Sequence, residues 1–314
     1  MTLLECIEQQ SARLTQAGVS FGHGTDNAFD EAVWLALWKL GLPLDELDGV
    51  AQRKLSGAEI DAIEALVGER IATRKPAAYL TREAWLQGVP FHVDERVIVP
   101  RSLIAELIAD GTLDAWLTDR MRRVLDLCTG SGSLAVLAAL AWPEVQVDAA
   151  DLSPDALAVA RLNVERHGLA DRVTLHQGDG LDAVHGQRYD LILCNPPYVN
   201  AESMAALPPE YRAEPALALA GGADGMDFIR SLVAQAHSHL ADGGVLVIEI
   251  GREAAHFERA FAPLEFAYLP TSAGDDDGVV NAQELGDLRK IVANASTFGM
   301  ADYVTVLASK IVNG

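Results

Sequence analysis

The chain has 314 residues, of which 50% are hydrophobic and 22% are charged, as in a globular protein of about two domains. Its 24 basic and 45 acidic side chains give a formal net charge of −21, which disfavours duplex nucleic acid and anionic lipid as partners and favours a basic one. The sequence has no long apolar run, signal peptide, paired cysteine spacing or histidine ligand spacing, so we expect a cytoplasmic protein without a membrane span, a disulfide framework or a metal site.

The first 75 residues show the helical spacing of apolar side chains. Leu3, Leu4 and Ile7 begin one helix. Ser56 and Glu59 form the pattern of a capping box that opens a third helix. The sequence therefore predicts a small all-helical domain over residues 1–75. Since no catalytic constellation occurs in it, we expect this domain either to recognise a partner or simply to pack.

Residues 76–102 are predicted to bridge two domains. The alternating run over 91–99 predicts a hairpin or a bridging pair of strands. Pro100-Arg101-Ser102 then begins another helix. Arg101 is interpreted as a surface cation, with contact to a ligand carboxylate or to a neighbouring loop as the alternative.

From Arg123 onward, apolar strands alternate with helices. Strands are predicted at 124–127, 145–150, 173–175, 190–194 and 243–250. The segments between them carry helical patterns and start signals, such as Ser153-Pro154. Repeated crossovers of this kind build a parallel sheet with helices on both faces, so we predict an α/β fold.

Polar residues follow four successive strands of this predicted sheet. Residues 126–132 form a glycine-bearing loop that lets backbone amides approach a ligand. Asp151 ends the second strand, where a carboxylate can accept both hydroxyls of a ribose. Asp179 follows the third strand, where it could accept from an adenine amino group. The fourth strand ends in Asn195-Pro196-Pro197-Tyr198, because the prolines stop it.

The order of these features resembles Rossmann-like class I methyltransferases that use S-adenosylmethionine and methylate planar amide or exocyclic amine nitrogens. With the helical domain, the bridge over 91–101 and the segment over 217–225, the chain is similar to the protein glutamine methyltransferases of translation. Residues 83–88 and 100–104 look closer to the branch acting on large-subunit ribosomal protein three than to the branch acting on release factors. The resemblance implies a methyltransferase domain over 103–285 and a basic protein substrate of the translation machinery.

The resemblance also implies roles for individual residues. S-adenosylmethionine, which becomes S-adenosylhomocysteine, is expected to contact Asp126, Cys128, Thr129, Gly130, Ser131, Gly132, Asp151, Asp179 and Asn195. Asn195, Pro196 and Tyr198 are the expected catalytic residues, and Asn195, Pro196, Pro197, Tyr198 and Arg101 the expected substrate contacts.

The chemistry of the acceptor explains the choice of Asn195 and Pro196. A carboxamide nitrogen is a poor nucleophile because its lone pair is delocalised, so it needs orientation. The Asn195 side-chain oxygen and the Pro196 carbonyl can each accept one N–H of a substrate amide. Tyr198 can pack on that amide or be a structural aromatic.

Two features depart from the family. Cys128 replaces the first glycine of the loop, a change that a negative φ would tolerate. The tail over 286–314 has no counterpart, and Leu285, Leu288, Ile291 and Val292 predict an amphipathic helix that docks on the protein itself or on a partner.

Three alternatives remain open. A release-factor glutamine methyltransferase shares the same motifs. A DNA adenine methyltransferase uses a similar turn but usually has a basic target-recognition region, which this chain lacks. The third alternative is a module that binds without catalysis. The presence of Asp151, Asp179 and Asn195 argues against it.

Overall fold

The structure is a computed structural model that describes residues 1–117, 120–262, 264, 266–269 and 271–272, and the backbone of residues 303–308. None of the helices formed by these residues combines the length and the apolar character that a membrane span requires. A group of helices comes first, followed by a hairpin and then by an α/β sheet. The domain limits at 75, 102 and 285 stay predictions.

The predicted helical domain is present. Its helices are α1 (Leu3–Gln16), α2 (Ala28–Lys39), α3 (Leu47–Val50) and α4 (Gly57–Thr73), and α5 (Ala77–Thr81) follows within the predicted bridge. The capping box of Ser56 and Glu59 opens α4 as expected, and a second one, of Thr2 and Glu5, opens α1. Both satisfy backbone N–H groups that have no partner inside the helix.

The bridge contains an antiparallel hairpin of β1 (Glu83–Leu86) and β2 (Val89–His92). The strand is shorter than the alternating run over 91–99 predicts. Strand β2 ends at His92, and Asp94 forms a turn just after it. The Asp94 carboxylate accepts from the backbone N–H of Arg96 at 3.1 Å, and its carbonyl accepts from the N–H of Val97 at 3.1 Å. A local turn therefore competes with the ladder and wins.

The main sheet has seven strands in the order β5-β4-β3-β6-β7-β9-β8. These are β3 (Arg123–Leu127), β4 (Gln146–Asp151), β5 (Val173–Gln177), β6 (Tyr189–Cys194), β7 (Leu240–Gly251), β8 (Ala267–Leu269) and β9 (Tyr303–Ala308). Strands β3 to β7 are parallel to one another, and β9 runs antiparallel to both of its neighbours. This confirms the mainly parallel α/β fold.

The helices around the sheet are α6 (Ile104–Ala109), α7 (Ser133–Ala141), α8 (Pro154–Arg166), α9 (Ala201–Ala206), α10 (Pro209–Arg212), α11 (Asp227–His239) and α12 (Ala254–Ala260). Alternate residues of the strands enter two separate cores, as the period of two along a strand requires. Leu191 and Leu193 belong to a core that also includes the helical domain, while Ile192 and Cys194 belong to the core on the other face.

Strand β9 lies in the stretch that the sequence assigns to an added tail. Its residues pair with β7 from Val245 to Gly251 and with all of β8, so this part of the tail belongs to the sheet. The helix predicted around Leu285, Leu288, Ile291 and Val292 lies outside the described residues.

The strand order reverses between β3 and β6. Strands β4 and β5 extend the sheet on one side of β3, whereas β6 and β7 extend it on the other. A crevice opens at such a switch point, outside the carboxyl ends of the strands, and it is where α/β proteins bind ligands.

Buried ion pairs join the helical domain to the segment that follows this crevice. The Arg70 guanidinium is fully buried, and its Nε donates to Glu31 Oε1 at 2.9 Å. Its Nη1 reaches Glu210 Oε1 at 3.4 Å, and Arg74 Nε lies 2.7 Å from that same oxygen. Helix α10 is therefore attached to α4 and to the residue that follows it by charges that water screens only weakly.

We expect Arg70→Met to lower the free energy of unfolding by about 3–5 kcal/mol at pH 7.5, because the buried Glu31 carboxylate loses its cation. Burial raises the pKa of Glu31, although Arg70 opposes this effect. Because the pKa of Glu31 is raised in the folded state, the ionised Glu31 carboxylate destabilises the folded state more as the pH rises. The loss of unfolding free energy in Arg70→Met should therefore be smaller at pH 5 than at pH 7.5.

Urea denaturation at the two pH values measures both effects. The double variant Glu31→Gln/Arg70→Met is the control and should recover most of the loss, with little dependence on pH. Equal losses in the single and double variants would contradict a buried ion pair as the cause.

Candidate active site

The turn after β6 carries the candidate reactive group. All residues of strand β6 are buried except Asp190, which is half-buried. Asn195 follows at the carboxyl end of the strand and is also half-buried. Two prolines follow, and because proline has no N–H the ladder cannot continue. Val199 then donates to the carbonyl of Leu219 at 2.8 Å and accepts from the N–H of Gly221 at 2.9 Å. The turn is therefore held against the segment over 217–225.

The close approach of these two backbones requires glycine. A Cβ on Gly221 would lie 2.7 Å from the carbonyl oxygen of Pro197 and 2.8 Å from Cα of Tyr198. A Cβ on Gly225 would collide with the carbonyl oxygen of Tyr198. These glycines explain the segment over 217–225 in physical terms, because any side chain would push the turn away from its place.

The first cavity lies at the switch point and has a volume of about 130 Å³. Five residues that the sequence singles out as cofactor contacts line it: Cys128, Gly130, Asp151, Asp179 and Asn195. Ends of β3, β4, β5 and β6 thus meet at one edge, as the parallel topology requires.

Asp151 is fixed in position by two backbone donors. Its Oδ2 accepts from the N–H of Gly130 at 2.9 Å, and its Oδ1 accepts from the N–H of Ser153 at 2.8 Å. Burial raises the pKa of Asp151, while these bonds oppose that effect. Each carboxylate oxygen can accept a further bond, so a ligand diol has two acceptors available.

Asp179 lies at the exposed rim of the cavity. It precedes the short 3₁₀ helix over Gly180–Val184, and its side chain makes no capping bond to that helix. The carboxylate therefore remains available to a ligand that fills the cavity.

Four of the expected cofactor contacts shape the loop and do not line the cavity: Asp126, Thr129, Ser131 and Gly132. Buried Asp126 accepts from the hydroxyl of Thr129 and from the N–H of Ala135 at 2.9 Å through one oxygen. Its other oxygen has no partner among the described residues, and burial raises the pKa of Asp126 to about 7. A direct contact of these four with the cofactor stays a prediction.

The negative φ that would make a cysteine tolerable at position 128 is not found. The φ of Cys128 is +61°, a conformation that costs a residue with a Cβ free energy and persists only where its surroundings impose it. The next residue supplies that constraint, since the N–H of Thr129 donates to the carbonyl of Ala150 in β4 at 3.0 Å. The loop can therefore hold a cysteine in a backbone conformation that favours glycine.

A second cavity lies on the other side of the turn. Its lining includes Arg101, Asn195, Pro196, Tyr198 and Tyr211. Asn195 lines both cavities, together with Ile98 and Ala218. Among the described residues, the Asn195 carboxamide has no hydrogen-bond partner. It is therefore placed between two binding spaces with its oxygen and its amide both available.

Arg101 contacts a neighbouring loop. This is one of the two alternatives to its interpretation as a surface cation. Its Nη1 and Nη2 donate to Oε1 and Oε2 of Glu214 at 2.6 and 2.7 Å. The guanidinium also lies 5.4 Å above the ring of Tyr211. Burial would raise the pKa of Glu214, but Arg101 and nearby His23 hold it at about 2. The guanidinium is thus bound to a carboxylate of the protein itself.

Glu249 is a residue of the second cavity that the sequence analysis does not single out. It is buried near the end of β7, and its Oε1 accepts from the hydroxyl of Tyr198 at 3.2 Å. Its Oε2 accepts from Ser102 Oγ at 2.5 Å and from the N–H of Leu103 at 3.0 Å. A single acid in the apolar run over 245–250 was the signal that could have indicated it.

The chain is similar to known methyltransferases. The family model described as "Methyltransferase small domain" matches residues 109–207. The chain is 53% identical over 294 residues to a ribosomal protein uL3 glutamine methyltransferase of Burkholderia pseudomallei, covering 90% of this chain and 95% of the relative. Proteins of the same name from Bordetella pertussis and Bradyrhizobium diazoefficiens are 53% and 45% identical, covering 90% and 89% of this chain and 95% and 89% of the relatives.

The glycine constraint yields a prediction with a matched control. Gly225 and Gly186 have similar positive φ values, +81° and +76°, but only Gly225 has neighbours within 4 Å of a built Cβ. We expect Gly186→Ala to cost about 1–2 kcal/mol of unfolding free energy from backbone strain alone. Gly225→Ala should cost about 1–3 kcal/mol more, because the turn after β6 must move. Equal losses in urea denaturation would show that the close approach does not matter.

Proposed function

The chain belongs to the family of ribosomal protein uL3 glutamine methyltransferases, and on this premise we propose that it methylates the side-chain amide nitrogen of a glutamine in ribosomal protein uL3, with S-adenosylmethionine as methyl donor. The observation that carries the proposal is the position of Asn195, which lines both cavities. A methyl donor bound in the first cavity and a glutamine amide bound in the second cavity would meet at Asn195.

The residues of the first cavity fit the methyl donor. Asp151 is fixed by Gly130 and Ser153 and keeps an acceptor on each oxygen for the ribose hydroxyls. Asp179 lies at the rim with its carboxylate uncommitted to a helix cap, where it can accept from the adenine amino group. When bound, S-adenosylmethionine supplies a methyl group attached to a positively charged sulfonium.

Orientation of the substrate amide is the task of the turn. Neither the Asn195 side-chain oxygen nor the Pro196 carbonyl accepts a hydrogen bond from another described residue. Each can therefore accept one N–H of the glutamine, which fixes the plane of the amide and directs a face of its nitrogen toward the first cavity. Prolines 196 and 197 keep these acceptors rigid and add no competing N–H.

A strong base is not required by this chemistry. An amide nitrogen that has gained a methyl group carries a positive charge, so it loses its proton readily. The Asn195 oxygen and the Pro196 carbonyl, which hold the two N–H groups, are placed to keep the proton at a hydrogen-bonding distance until water removes it.

Tyr198 and Arg101 form walls of the second cavity, which we call the amide cavity because the glutamine amide is proposed to enter it. The hydroxyl of Tyr198 is held by Glu249, which fixes the ring so that it can pack on the glutamine amide. Arg101 is committed to Glu214, so its contribution to substrate binding is to position the segment of Glu214 and Tyr211. Arg101 therefore shapes the wall of the cavity, and we do not assign it a bond to a substrate carboxylate.

The choice of uL3 as substrate rests on the names of the relatives and on charge. Proteins named for uL3 match about 90% of this chain, and a chain of net charge −21 favours a basic partner. Labelled S-adenosylmethionine offered with purified uL3, a release factor and DNA tests the proposal. Label should enter uL3 alone. Label in the release factor alone would refute the substrate, and label in DNA alone the substrate class.

We expect Asn195→Ala to lower kcat for uL3 methylation by about 100-fold or more, since an orienting contact is lost. The affinity for S-adenosylmethionine, measured by calorimetry, should fall by less than about tenfold, because Asp151 and Asp179 remain. Asn27→Ala, which removes an exposed cap of α2 outside both cavities, is the control and should keep normal turnover. Near-normal turnover in Asn195→Ala would contradict the mechanism.

The role of Asp151 is tested separately. Asp151→Asn should weaken binding of S-adenosylmethionine by about tenfold or more, the effect of losing a charged hydrogen-bond acceptor. Asp155→Asn removes the same charge from an exposed position of α8 that lines neither cavity, and calorimetry should detect no change there. Equal effects of the two variants would point to long-range charge and away from a direct contact.

A further inference from the structure

A groove lined by three tryptophans separates α2 from the hairpin. Trp34 and Trp38 of α2 lie on one side, and Trp85 of β1 lies on the other. The loop over 41–45 and the hairpin turn at Gly88 complete the lining. We call this feature the tryptophan groove. The catalytic chemistry described above uses none of its side chains.

The Trp85 ring leaves apolar surface at the groove. The exposed fraction of Trp85 is 46%, unusual for the largest apolar side chain. Its Nε1 donates to Glu83 Oε1 at 3.2 Å, which holds the ring in place. The Nε1 of Trp34 is buried and has no acceptor among the described residues. Tryptophan faces attract cations more strongly than other side-chain rings do.

The charges around the groove are negative. Asp45 and Glu83 belong to its lining. One oxygen of Glu83 is paired with Arg166 at 2.8 Å, so Asp45 is the better candidate for a free countercharge. Residues 41–48 include Asp45, Glu46 and Asp48 and no basic residue. Indole faces beside carboxylates fit an arginine or lysine side chain, whose apolar stem and cationic head need both kinds of surface.

The groove is next to the amide cavity. Gly22 lines the amide cavity, while Gly24 and Thr25 line the tryptophan groove. A Cβ on Gly24 would lie 3.5 Å from the ring of Trp34, whereas one on Gly22 would collide with the hydroxyl of Tyr211. Two residues of chain span at most about 7 Å. One loop thus divides the two spaces, and a polypeptide bound in one can extend into the other.

We propose that the tryptophan groove binds an arginine or lysine side chain of the protein substrate, close to the segment whose glutamine enters the amide cavity. The proposal rests on the proposed function for the identity of the substrate. It adds a second contact, remote from the reacting atoms, that selects a basic protein.

The first experiment separates binding from turnover. With uL3 as substrate, Trp85→Ala should raise KM about five- to tenfold and change kcat by less than about twofold, because the lost contact lies outside the reacting centre. Trp85→Phe keeps an aromatic face and should restore most of the loss. Leu140→Ala removes a similarly exposed apolar side chain, 44% exposed on α7, and should leave KM unchanged. An unchanged KM in Trp85→Ala would overturn the proposal.

The second experiment needs no methyl transfer. Titration with a hexa-arginine peptide at low salt, followed by tryptophan fluorescence, should show binding that Trp85→Ala and Asp45→Asn each weaken by about threefold or more. Asp242→Asn removes the same charge from an exposed position outside the groove and should bind as the wild type does. Equal affinity in Asp45→Asn and Asp242→Asn would refute a specific groove.

The two experiments also separate the inference from the proposed function. If the wild type transfers no methyl group to uL3, the proposed function fails, and the peptide titration alone decides on the groove. If the wild type methylates uL3 and the groove variants behave like the wild type, the groove proposal fails by itself.

Discussion

The close packing of two backbones around the turn after β6 determines where the reactive carboxamide lies. The prolines end the strand, and the segment over 217–225 approaches the turn so closely that Gly221 and Gly225 have no room for a Cβ. This arrangement costs free energy, because ordering glycines reduces conformational entropy and prolines cannot donate hydrogen bonds to a neighbouring strand. The result is that Asn195 leaves the sheet at the switch point, where it borders both cavities.

Buried ion pairs extend this constraint to the rest of the molecule. Glu210 is joined to Arg70 of α4 and to Arg74, which follows that helix, and Glu214 is joined to Arg101 of the bridge. All of these pairs meet at the short segment around α10, which carries Tyr211 in the wall of the amide cavity. Pairs of this kind add little net stability but fix one arrangement, since each buried charge has few alternative partners. The helical domain is thereby held beside the site, with the tryptophan groove between α2 and the hairpin.

Much of the fold follows from local patterns, whereas the contacts between distant segments do not. Apolar periodicity predicted the parallel sheet, and strand ends placed Asp151 and Asp179 at one edge. The positive φ of Cys128 depends on a bond from the next residue to β4, which no local pattern reveals. The partner of Arg101 lies 113 residues away. Strand β9 was not predicted, although Tyr303–Ala308 is rich in β-branched residues, because the resemblance places the end of the methyltransferase domain at residue 285.

The central claim is that the Asn195 oxygen and the Pro196 carbonyl hold the two N–H groups of a substrate glutamine. A crystal structure with S-adenosylhomocysteine and a glutamine-containing segment of uL3 tests it most directly. We expect the glutamine nitrogen to lie about 3 Å from both oxygens, with the cofactor against Asp151 and Asp179. A glutamine amide bound away from Asn195, in a complex that still transfers methyl groups in solution, would contradict the account.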